Sequence, residues 1–584
     1  MSVSSTTRRW LERPRVIEWA VRNFKAVEHA SLPLLPLNLL LGPNSSGKSS
    51  LLQTLLILGQ STEDEIVLNG PLVRLGTAAD VIRSGSNSTT FGFVARERES
   101  RESRKPREVY EILFEITMIN QAGSLVPSEF IAVDQKSGTV ILRATSERVA
   151  KAAQSNLSQD VRPHEIFLRI CEIDDKPAPP FTYLALSGFT PTAIGFRRTK
   201  KDVRNELRRS VKVQSDILDS EQAFETYFQI AEWLTRSGRD LAQKSLPVEP
   251  PLRGRKQQAA ETSRRGAALE NLLTISASEL RSVLDSYVDS QFGDTEWVRY
   301  PVYFGQASSP RISSGSVFPP PSPRIQSALA TSSFGAETLR LLQVNLRYLG
   351  PLREEPQVVS PTGPRSRSLP VGPKGEYTAD LLARSKDTLV RYFDWNDEPS
   401  RHLLPVALTR WVKYLGLGDS VTVEDQGRLG RGLRIRLNGA ERDLTMIGVG
   451  ASQLVPVLLA VLTAAPGSII LLEQPELHLH PSVQSRLADF FLKAKRDVRL
   501  IVETHSEYLV SRIRRRVVEE PTLSTRVAVL FAEQVEGATE VRQLQIDRLG
   551  DFSAWPTGFF DTQDHESMEL ALAVRRALSS GNQS

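Results

Sequence analysis

The chain has 584 residues, a length that predicts about three to four structural units. Its 73 Lys and Arg residues against 68 Asp and Glu give a net charge of +5, which permits a nucleic-acid partner without requiring one. The single cysteine, Cys171, excludes a disulfide framework and a cysteine-ligated zinc site. We expect a cytoplasmic protein without a membrane partner, since the apolar run 454–465 is shorter than the ~20 residues of a membrane-spanning helix.

The first predicted unit is a strand, a glycine-rich loop and a helix. The apolar run 34–41 predicts a buried strand, and 51–58, which is apolar all round, predicts a buried helix. Between them, Gly42-Pro-Asn-Ser-Ser-Gly-Lys-Ser matches the P-loop pattern G-x-x-x-x-G-K-[ST] in full. In such a loop backbone N–H groups curl around phosphate oxygens. We therefore predict that Lys48 reaches the β- and γ-phosphates and that Ser49 binds Mg²⁺.

The middle of the chain has charged and Pro- or Ser-rich stretches. Residues 197–212 carry many basic side chains in a pattern compatible with a helix, while 247–266 and 308–333 have the composition of linkers or mobile loops. We interpret residues 96–335 as a long, mainly helical and partly flexible insertion.

Regular patterning returns in the last part of the chain. From Leu444 onward a loop, helix, strand, loop, helix, strand and helix are predicted, and this alternation is typical of a parallel sheet covered by helices. We predict an α/β P-loop fold in two halves, 1–95 and 441–535, with a connecting region at 336–440 and a small C-terminal domain at 536–584.

Two apolar strands of this last part end in polar residues. The first, 469–472, is followed by Glu473, Gln474 and Glu476, so it delivers a carboxylate to the strand end where open α/β sheets bind ligands. Glu473 is therefore predicted to hold Mg²⁺ together with Ser49. The second strand leads to His505, for which three roles are open: contact with the γ-phosphate, polarisation of the attacking water, or a structural role.

A second glycine loop, 447–453, precedes an apolar helix. Gly448, Gly450, Ser452 and Gln453 at a helix N-terminus suit an anion, although a plain helix cap would have the same pattern. The loop lies about 20 residues before the acidic strand, too close to serve an independent nucleotide fold. We therefore expect it to contact ATP that is held by another subunit.

Together these motifs resemble those of the ATP-binding-cassette-like (ABC-like) ATPases of the RecF, SMC and overcoming-lysogenization group. The stretches 22–25 and 40–50 are characteristic of that group. More narrowly, the chain resembles bacterial AAA-type ATPases that end in a small C-terminal domain of unknown function, in the stretches 68–76, 348–356, 371–376 and 555–561. The resemblance covers roughly 15–95 and 340–570 and leaves the insertion unmatched.

The resemblance implies an ABC-type ATPase head that binds ATP and Mg²⁺ and pairs head to tail with a second copy. The implied nucleotide-binding residues are Asn23, Lys25, Gly42, Asn44, Ser45, Ser46, Gly47, Lys48, Ser49 and Ser50 and, from the other subunit, Gly448, Gly450, Ser452 and Gln453. The implied catalytic residues are Glu473, Gln474, Glu476 and His505, with Ser49 and Glu473 at the metal. Anti-phage systems such as Septu and PARIS use similar ATPases beside a separate effector, a nuclease or toxin.

One position departs from the pattern of that group. Cassette ATPases carry Asp-Glu where this chain has Glu473-Gln474, and a glutamine cannot accept a proton from water as a carboxylate does. Glu476 or His505 would then take the basic role, and we expect turnover below about 10 s⁻¹. Two alternatives remain: a repair ATPase that itself binds DNA, and an ATP-bound scaffold with little hydrolysis.

Overall fold

A computed structural model describes residues 14–98, 109–146, 164–211, 230, 233, 277–291, 294–302, 322–355, 357–360, 371–427, 430–446, 449–554, 568–570 and 572–573. The chain divides into two compact units. The first comprises Met1–Ser128, Asp134–Lys136 and Thr338–Ser584, and the second comprises Glu129–Val133 and Ser137–Glu337.

The strands, in chain order, are β1 Arg15–Phe24, β2 Val27–Pro33, β3 Leu37–Leu41, β4 Ser88–Arg98, β5 Val109–Gln121, β6 Ser124–Asp134, β7 Val140–Thr145, β8 Ile166–Ile173, β9 Lys176–Pro177, β10 Thr182–Ser187, β11 Thr190–Thr199, β12 Thr295–Pro301, β13 Leu346–Leu349, β14 Leu389–Phe393, β15 Pro399–Leu403, β16 Ser420–Asp425, β17 Arg431–Leu437, β18 Ala440–Asp443, β19 Ile469–Glu473, β20 Arg499–Glu503, β21 Val527–Val535 and β22 Ala538–Leu544. The helices are α1 Lys48–Gln60, α2 Ala78–Val81, α3 Lys200–Val211, α4 Ala277–Gln291, α5 Pro323–Asn345, α6 Thr378–Arg384, α7 Leu404–Leu415, α8 Val449–Leu462, α9 Pro481–Lys493 and α10 Glu507–Glu519.

The first unit is built on a block of parallel strands in the order β13-β19-β20-β3-β21. Its edge continues through β22, β2, β1, β4 and β5, where β22 pairs with β2 in parallel and the other neighbours are antiparallel. The three central strands of the parallel block, β19, β20 and β3, are almost entirely buried, as expected for a parallel sheet covered on both faces. The predicted α/β fold is confirmed.

The two faces of the parallel block have different roles. Side chains alternate along a strand, so Leu500 and Val502 of β20 belong to the large hydrophobic core while Glu503 points to the opposite face. The same alternation separates Leu472 from Glu473 on β19. Because Glu473 pairs in register with Glu503, both carboxylates lie on one face at the carboxyl ends of their strands.

Helices α6 to α10 contribute to the large core on the other face. Trp411 of α7 is fully buried and meets Phe490 of α9 edge-on, with the ring centroids 4.9 Å apart. Helices α9 and α10 are joined by Asp489, which accepts hydrogen bonds from Arg512, Arg516 and Tyr414. The order of helices and strands predicted from Leu444 onward is confirmed by α8, β19, α9, β20 and α10.

The second unit is an antiparallel sheet in the order β6-β7-β8-β10-β11-β12. Helices α3 and α4 are linked by an ion pair between Arg208 and Asp285, 2.9 Å apart. The expectation of a mainly helical insertion is therefore wrong for the part of 96–335 that the structure describes.

The strands of the insertion have a sequence signal that the charged and proline-rich stretches obscured. Strand β5 is rich in β-branched and aromatic residues, and its side chains at 114, 116 and 118 are buried with a period of two. The segment 323–333, predicted as linker, is the start of α5, because Pro323 suits the first helical turn. Of the basic stretch, 200–211 is helical and 197–199 belongs to β11, while 247–266 lies outside the described residues.

Within the described part of the chain, no helix combines the length and apolar character needed to cross a membrane. The predicted domain boundaries stay a prediction.

Candidate functional site

The P-loop joins the buried strand β3 to helix α1, as the motif predicts. Gly42 has φ +141°, and a Cβ there would lie 2.1 Å from the backbone oxygen of Ala532. Gly47 has φ +92°, and a Cβ would lie 2.2 Å from Oγ1 of Thr539. Both positions therefore require glycine for steric and conformational reasons. Helix α1 is anchored to β1 by a hydrogen bond of 2.9 Å from Trp19 Nε1 to Thr54 Oγ1.

Lys48 is almost fully buried beneath this loop. Its ammonium group donates to the carbonyl oxygens of Gly42 and Pro43, at 2.9 and 2.6 Å. Burial lowers the pKa of Lys48, and the nearby carboxylate of Glu503 partly offsets that effect. A cation held inside a ring of backbone amides is a binding site for phosphate oxygens.

A cavity of about 320 Å³ opens at the P-loop. It is lined by Lys25, Ala26, Asn44, Ser45, Ser46, Gly47, Lys48, Ser49, Ser50, Gln474, Glu503 and His505. Most predicted site residues of the P-loop, Gln474 and His505 are thus brought together in one cavity. Lys25 reaches it from the turn between β1 and β2, and its Nζ donates to Gln53 Oε1 of α1 at 2.8 Å.

Glu503 also lines the cavity, although the sequence analysis assigned it no role. The Ser49 hydroxyl lies 3.2 Å from Glu503 Oε2 and 3.4 Å from Oε1. Burial, followed by repulsion from Glu473, raises the pKa of Glu503 to about 7, against the lowering effects of Lys48 and Ser49. The missed signal was an acidic residue at the end of an apolar strand, the same pattern that singled out Glu473.

Glu473 lies at the end of β19 and is held from the side of β13. Tyr348 donates its hydroxyl proton to Glu473 Oε1 at 2.8 Å, and Arg353 donates to the Glu473 backbone oxygen at 3.0 Å. Burial raises the pKa of Glu473, while Tyr348 and Arg353 lower it. Glu473 does not line the cavity, although it lies beside Glu503 in the sheet.

Glu476 and His505 are linked to each other. The backbone N–H of His505 donates to Glu476 Oε1 at 2.7 Å, which positions the loop after β20. Burial raises the pKa of Glu476, with Arg353 among the groups that lower it. Burial and then the charge of Lys48 lower the pKa of His505, which favours the neutral form of its ring.

Gln474 has a strained backbone next to the cavity. Its φ is +42°, and its N–H donates to the Glu503 backbone oxygen at 2.7 Å. Gln474 is among the residues that line the cavity. Among the described residues, no group of three or more His, Cys, Asp or Glu is arranged to hold a metal ion. Mg²⁺ at phosphate sites commonly needs only one or two carboxylates besides the phosphates.

Of the residues predicted for the second glycine loop, the three that the structure describes, Gly450, Ser452 and Gln453, do not line this cavity. Gly448 lies outside the described residues, and Gly450 packs closely enough that a Cβ would be 2.9 Å from the His478 backbone oxygen. Ser452 and Gln453 are buried in the first turns of α8. Asn23, with φ +54°, accepts a backbone hydrogen bond from Arg83 and is also not among the lining residues.

The strand order, the P-loop between β3 and α1, and the acidic ends of β19 and β20 define the class. They are the features of an α/β P-loop ATPase head of the ABC-like type.

Comparisons with known families agree with that class. Residues 373–511 match the family described as "AAA domain, putative AbiEii toxin, Type IV TA system". Residues 524–570 match the family described as "Protein of unknown function (DUF3696)". Among curated proteins, no sequence matches this chain.

Solved structures with a similar arrangement include heads of SMC proteins. The Smc head of Pyrococcus furiosus, bound to the C-terminal domain of ScpA, is 8% identical with a TM-score of 0.33, covering 96% of this chain and 100% of that one. The Smc head of Pyrococcus yayanosii is 11% identical with a TM-score of 0.33, covering 92% and 98%. The SMC head of Thermotoga maritima is 8% identical with a TM-score of 0.30, covering 91% and 100%. With scores this low, the fold assignment rests on the strand order and the P-loop.

Proposed function

We propose that the chain binds Mg²⁺-ATP at the P-loop cavity and hydrolyses it slowly. The observation that supports this most is the buried ammonium of Lys48 beneath the glycine loop, next to the Ser49 hydroxyl and a strand-end carboxylate. Loop amides and Lys48 would bind the phosphates, while Ser49 and a carboxylate would hold the metal. The coarser assignment to ABC-like ATPases agrees with the family match over 373–511.

The proposal of slow turnover depends on Gln474. An amide at this position can orient a water molecule but cannot take its proton. His505 lines the cavity, and the lowered pKa of its ring favours the neutral form, which is able to accept a hydrogen bond from water. Glu476 acts behind it, since its carboxylate holds the His505 backbone. We therefore assign Gln474 to water orientation, His505 to the γ-phosphate side and Glu476 to positioning.

We propose further that two copies pair head to tail on ATP, with 448–453 of one copy closing over the P-loop of the other. Ser452 and Gln453 are buried within their own chain, so direct contact of Ser452 with ATP requires the start of α8 to rearrange. Gly450 is partly exposed at this helix start.

The partner that we propose is a separate effector, a toxin or nuclease, in prokaryotic anti-phage defence within the cytoplasm. The description of the matched family includes a toxin and a toxin–antitoxin system, which supports an effector-linked role. Direct DNA binding has less support, because the basic side chains of α10 are engaged within the chain. Arg512 and Arg516 bind Asp489, and Arg514 binds Asp551.

The first test uses the purified protein and measures ATP binding by calorimetry and the release of phosphate. Lys48→Ala should abolish both, because the phosphates lose their buried counter-ion, whereas Lys413→Ala on the exposed side of α7 should change neither. Absence of ATP binding by the unaltered protein would refute the proposed function.

Pairing is tested separately by light scattering with and without ATP. Ser452→Arg should retain ATP binding, which also shows that the variant is folded, and should lose the ATP-dependent dimer. A dimer that persists in this variant contradicts the role of 448–453. Copurification with an effector, and DNA affinity as a function of salt, distinguish the effector-linked role from direct DNA binding.

A further inference from the structure

The metal-binding carboxylate predicted from the motifs is Glu473, but the structure brings a different carboxylate to the P-loop serine. Strand β20 lies between β3 and β19, so Glu503 is one strand away from β3 and Glu473 is two strands away. Neighbouring strands are about 4.8 Å apart, which places the Glu473 backbone roughly 10 Å from β3. Glu503 is correspondingly the residue whose oxygens lie 3.2 and 3.4 Å from Ser49 Oγ.

These distances suit two ligands of one magnesium ion. Mg²⁺ binds oxygens at about 2.0–2.1 Å in octahedral geometry, so two adjacent ligands are about 3 Å apart. The Ser49 hydroxyl can rotate its proton away and present a lone pair to the metal. Ser49 and Glu503 therefore need only small shifts to share a cation in the cavity that both of them line.

Glu473 is engaged elsewhere. Its Oε1 accepts the hydroxyl proton of Tyr348 at 2.8 Å, and its backbone oxygen accepts from Arg353. Both partners belong to the segment at and after β13, on the side of β19 that is remote from β3. These bonds hold the Glu473 carboxylate beside Glu503 without bringing it to Ser49.

The balance of charge also favours a cation at Glu503. Glu473 and Glu503 are in register on neighbouring strands and repel each other. The nearest described cation on the P-loop side is Lys48, which is tied to two carbonyl oxygens of the loop. A divalent ion between Ser49 and Glu503 would offset this repulsion.

We propose that Glu503 is the carboxylate that binds Mg²⁺ directly together with Ser49 and the nucleotide phosphates, and that Glu473 supports it from the neighbouring strand. This inference rests on the proposed function, since it needs Mg²⁺-ATP as the ligand. The simpler explanation is that Glu503 only anchors the start of α1 through the Ser49 hydroxyl.

The experiment compares ATP affinity by calorimetry in excess Mg²⁺ and in EDTA for the unaltered protein, Glu503→Gln and Glu473→Gln. The ratio of the two affinities isolates the contribution of the metal. Glu503→Gln should reduce this ratio at least ~tenfold while keeping the affinity in EDTA, because it removes a metal ligand and leaves the phosphate cradle intact. Glu473→Gln should reduce it less.

A second readout uses Mn²⁺ in place of Mg²⁺. Electron paramagnetic resonance of the Mn²⁺-ATP complex should show a changed coordination spectrum in Glu503→Gln and a spectrum close to that of the unaltered protein in Glu473→Gln. Glu503→Asp, which keeps the charge on a shorter side chain, should recover part of the Mg²⁺ dependence.

The outcomes distinguish a failure of the metal role of Glu503 from a failure of the proposed ATP binding. An unchanged Mg²⁺ dependence in Glu503→Gln overturns the metal role. An equal loss of ATP affinity with Mg²⁺ and with EDTA in Glu503→Gln also overturns it, because it indicates that Glu503 only anchors α1. A larger reduction of the Mg²⁺ dependence in Glu473→Gln than in Glu503→Gln overturns it as well. If the unaltered protein binds no ATP under either condition, the proposed function itself fails.

Discussion

The carboxylate of Asp489 joins α9 and α10 through hydrogen bonds, and its removal is a direct test of the structure. Arg512 Nη2 and Tyr414 Oη donate to Asp489 Oδ2 at 2.8 and 2.6 Å, and Arg516 Nε donates to Oδ1 at 2.6 Å. Asp489→Asn keeps one acceptor oxygen and the side-chain volume but removes the negative charge. Two neighbouring guanidinium groups then lose their buried counter-ion, and Arg516 keeps its ion pair with Glu519 at 2.7 Å.

The expected cost follows from burial. Breaking a buried ion pair by removing one partner costs about 3–5 kcal/mol. The Asp489 side chain is 0% exposed, but those of Arg512 and Arg516 are 20% and 22% exposed, so water solvates part of the remaining charge. We therefore expect the free energy of unfolding to fall by about 3 kcal/mol, the lower end of that range.

The pH dependence has a defined sign. Burial alone would raise the pKa of Asp489, but the hydrogen bonds from Arg516, Arg512 and Tyr414 outweigh it and hold the pKa below its usual value. A group with a lowered folded-state pKa stabilises fully above its unfolded pKa, and this contribution is lost as the pH falls through the folded pKa. The difference between the two proteins should be constant at neutral pH and shrink below a pH of about 4.

The assay is urea unfolding of both proteins across this pH range, with Asp551→Asn as the matched control. Asp551 pairs with Arg514 of the same helix at 2.7 Å, but its side chain is 67% exposed, so its loss should cost less than about 1 kcal/mol. If Asp489→Asn and Asp551→Asn have equal effects, or if the Asp489 effect grows on acidification, the reasoning is refuted.

Three further changes test the P-loop and its surroundings. Gly47→Ala should weaken ATP binding at least ~tenfold in a fluorescent-nucleotide titration, because the alanine would need a left-handed backbone conformation and its Cβ would clash with Thr539. The control Gly537→Ala has a similar φ of +83° but open space around it, and it should not weaken ATP binding. Gln474→Glu should raise the rate of phosphate release by about 100-fold or more, because it supplies the missing base, and an unchanged rate would count against that explanation. Thr54→Val leaves the buried Trp19 indole N–H without its acceptor, so the free energy of unfolding measured by urea denaturation should fall by about 1–3 kcal/mol. The ATP affinity per folded molecule should not change.

The contiguous motifs were readable from the sequence because their chemistry is local. The turn after β3 needs glycine at 42 and 47, and Lys48 follows at the start of the helix, so the whole phosphate cradle lies within eight residues. The elements from 449 to 519 were predictable for a similar reason. Their apolar runs are long, and each is bounded by turn residues.

The insertion shows where this reasoning fails. Charged and proline-rich stretches dominated the interpretation of 96–335, while the alternating strands between them carried the structural information. Strand β5 has a clear period of two, but its partner β4 is separated from it by a stretch outside the described residues. Strand β1, which pairs with β4, precedes the whole P-loop helix. Pairing of that kind cannot be deduced from a local window.

The sequence by itself indicated a P-loop between a strand and a helix, one apolar strand that ends in the acid Glu473, and a second apolar strand that leads to His505. Only the tertiary structure decided which acid meets the P-loop serine. Ser49 and Glu503 are 454 positions apart, and their contact depends on the placement of β20 between β3 and β19 and on the face toward which residue 503 points. Strand order is a property of the packed sheet, because it is set by which apolar faces the helices cover. The direction of the side chain depends on the register, since a shift of β20 by one residue would point Glu503 into the core.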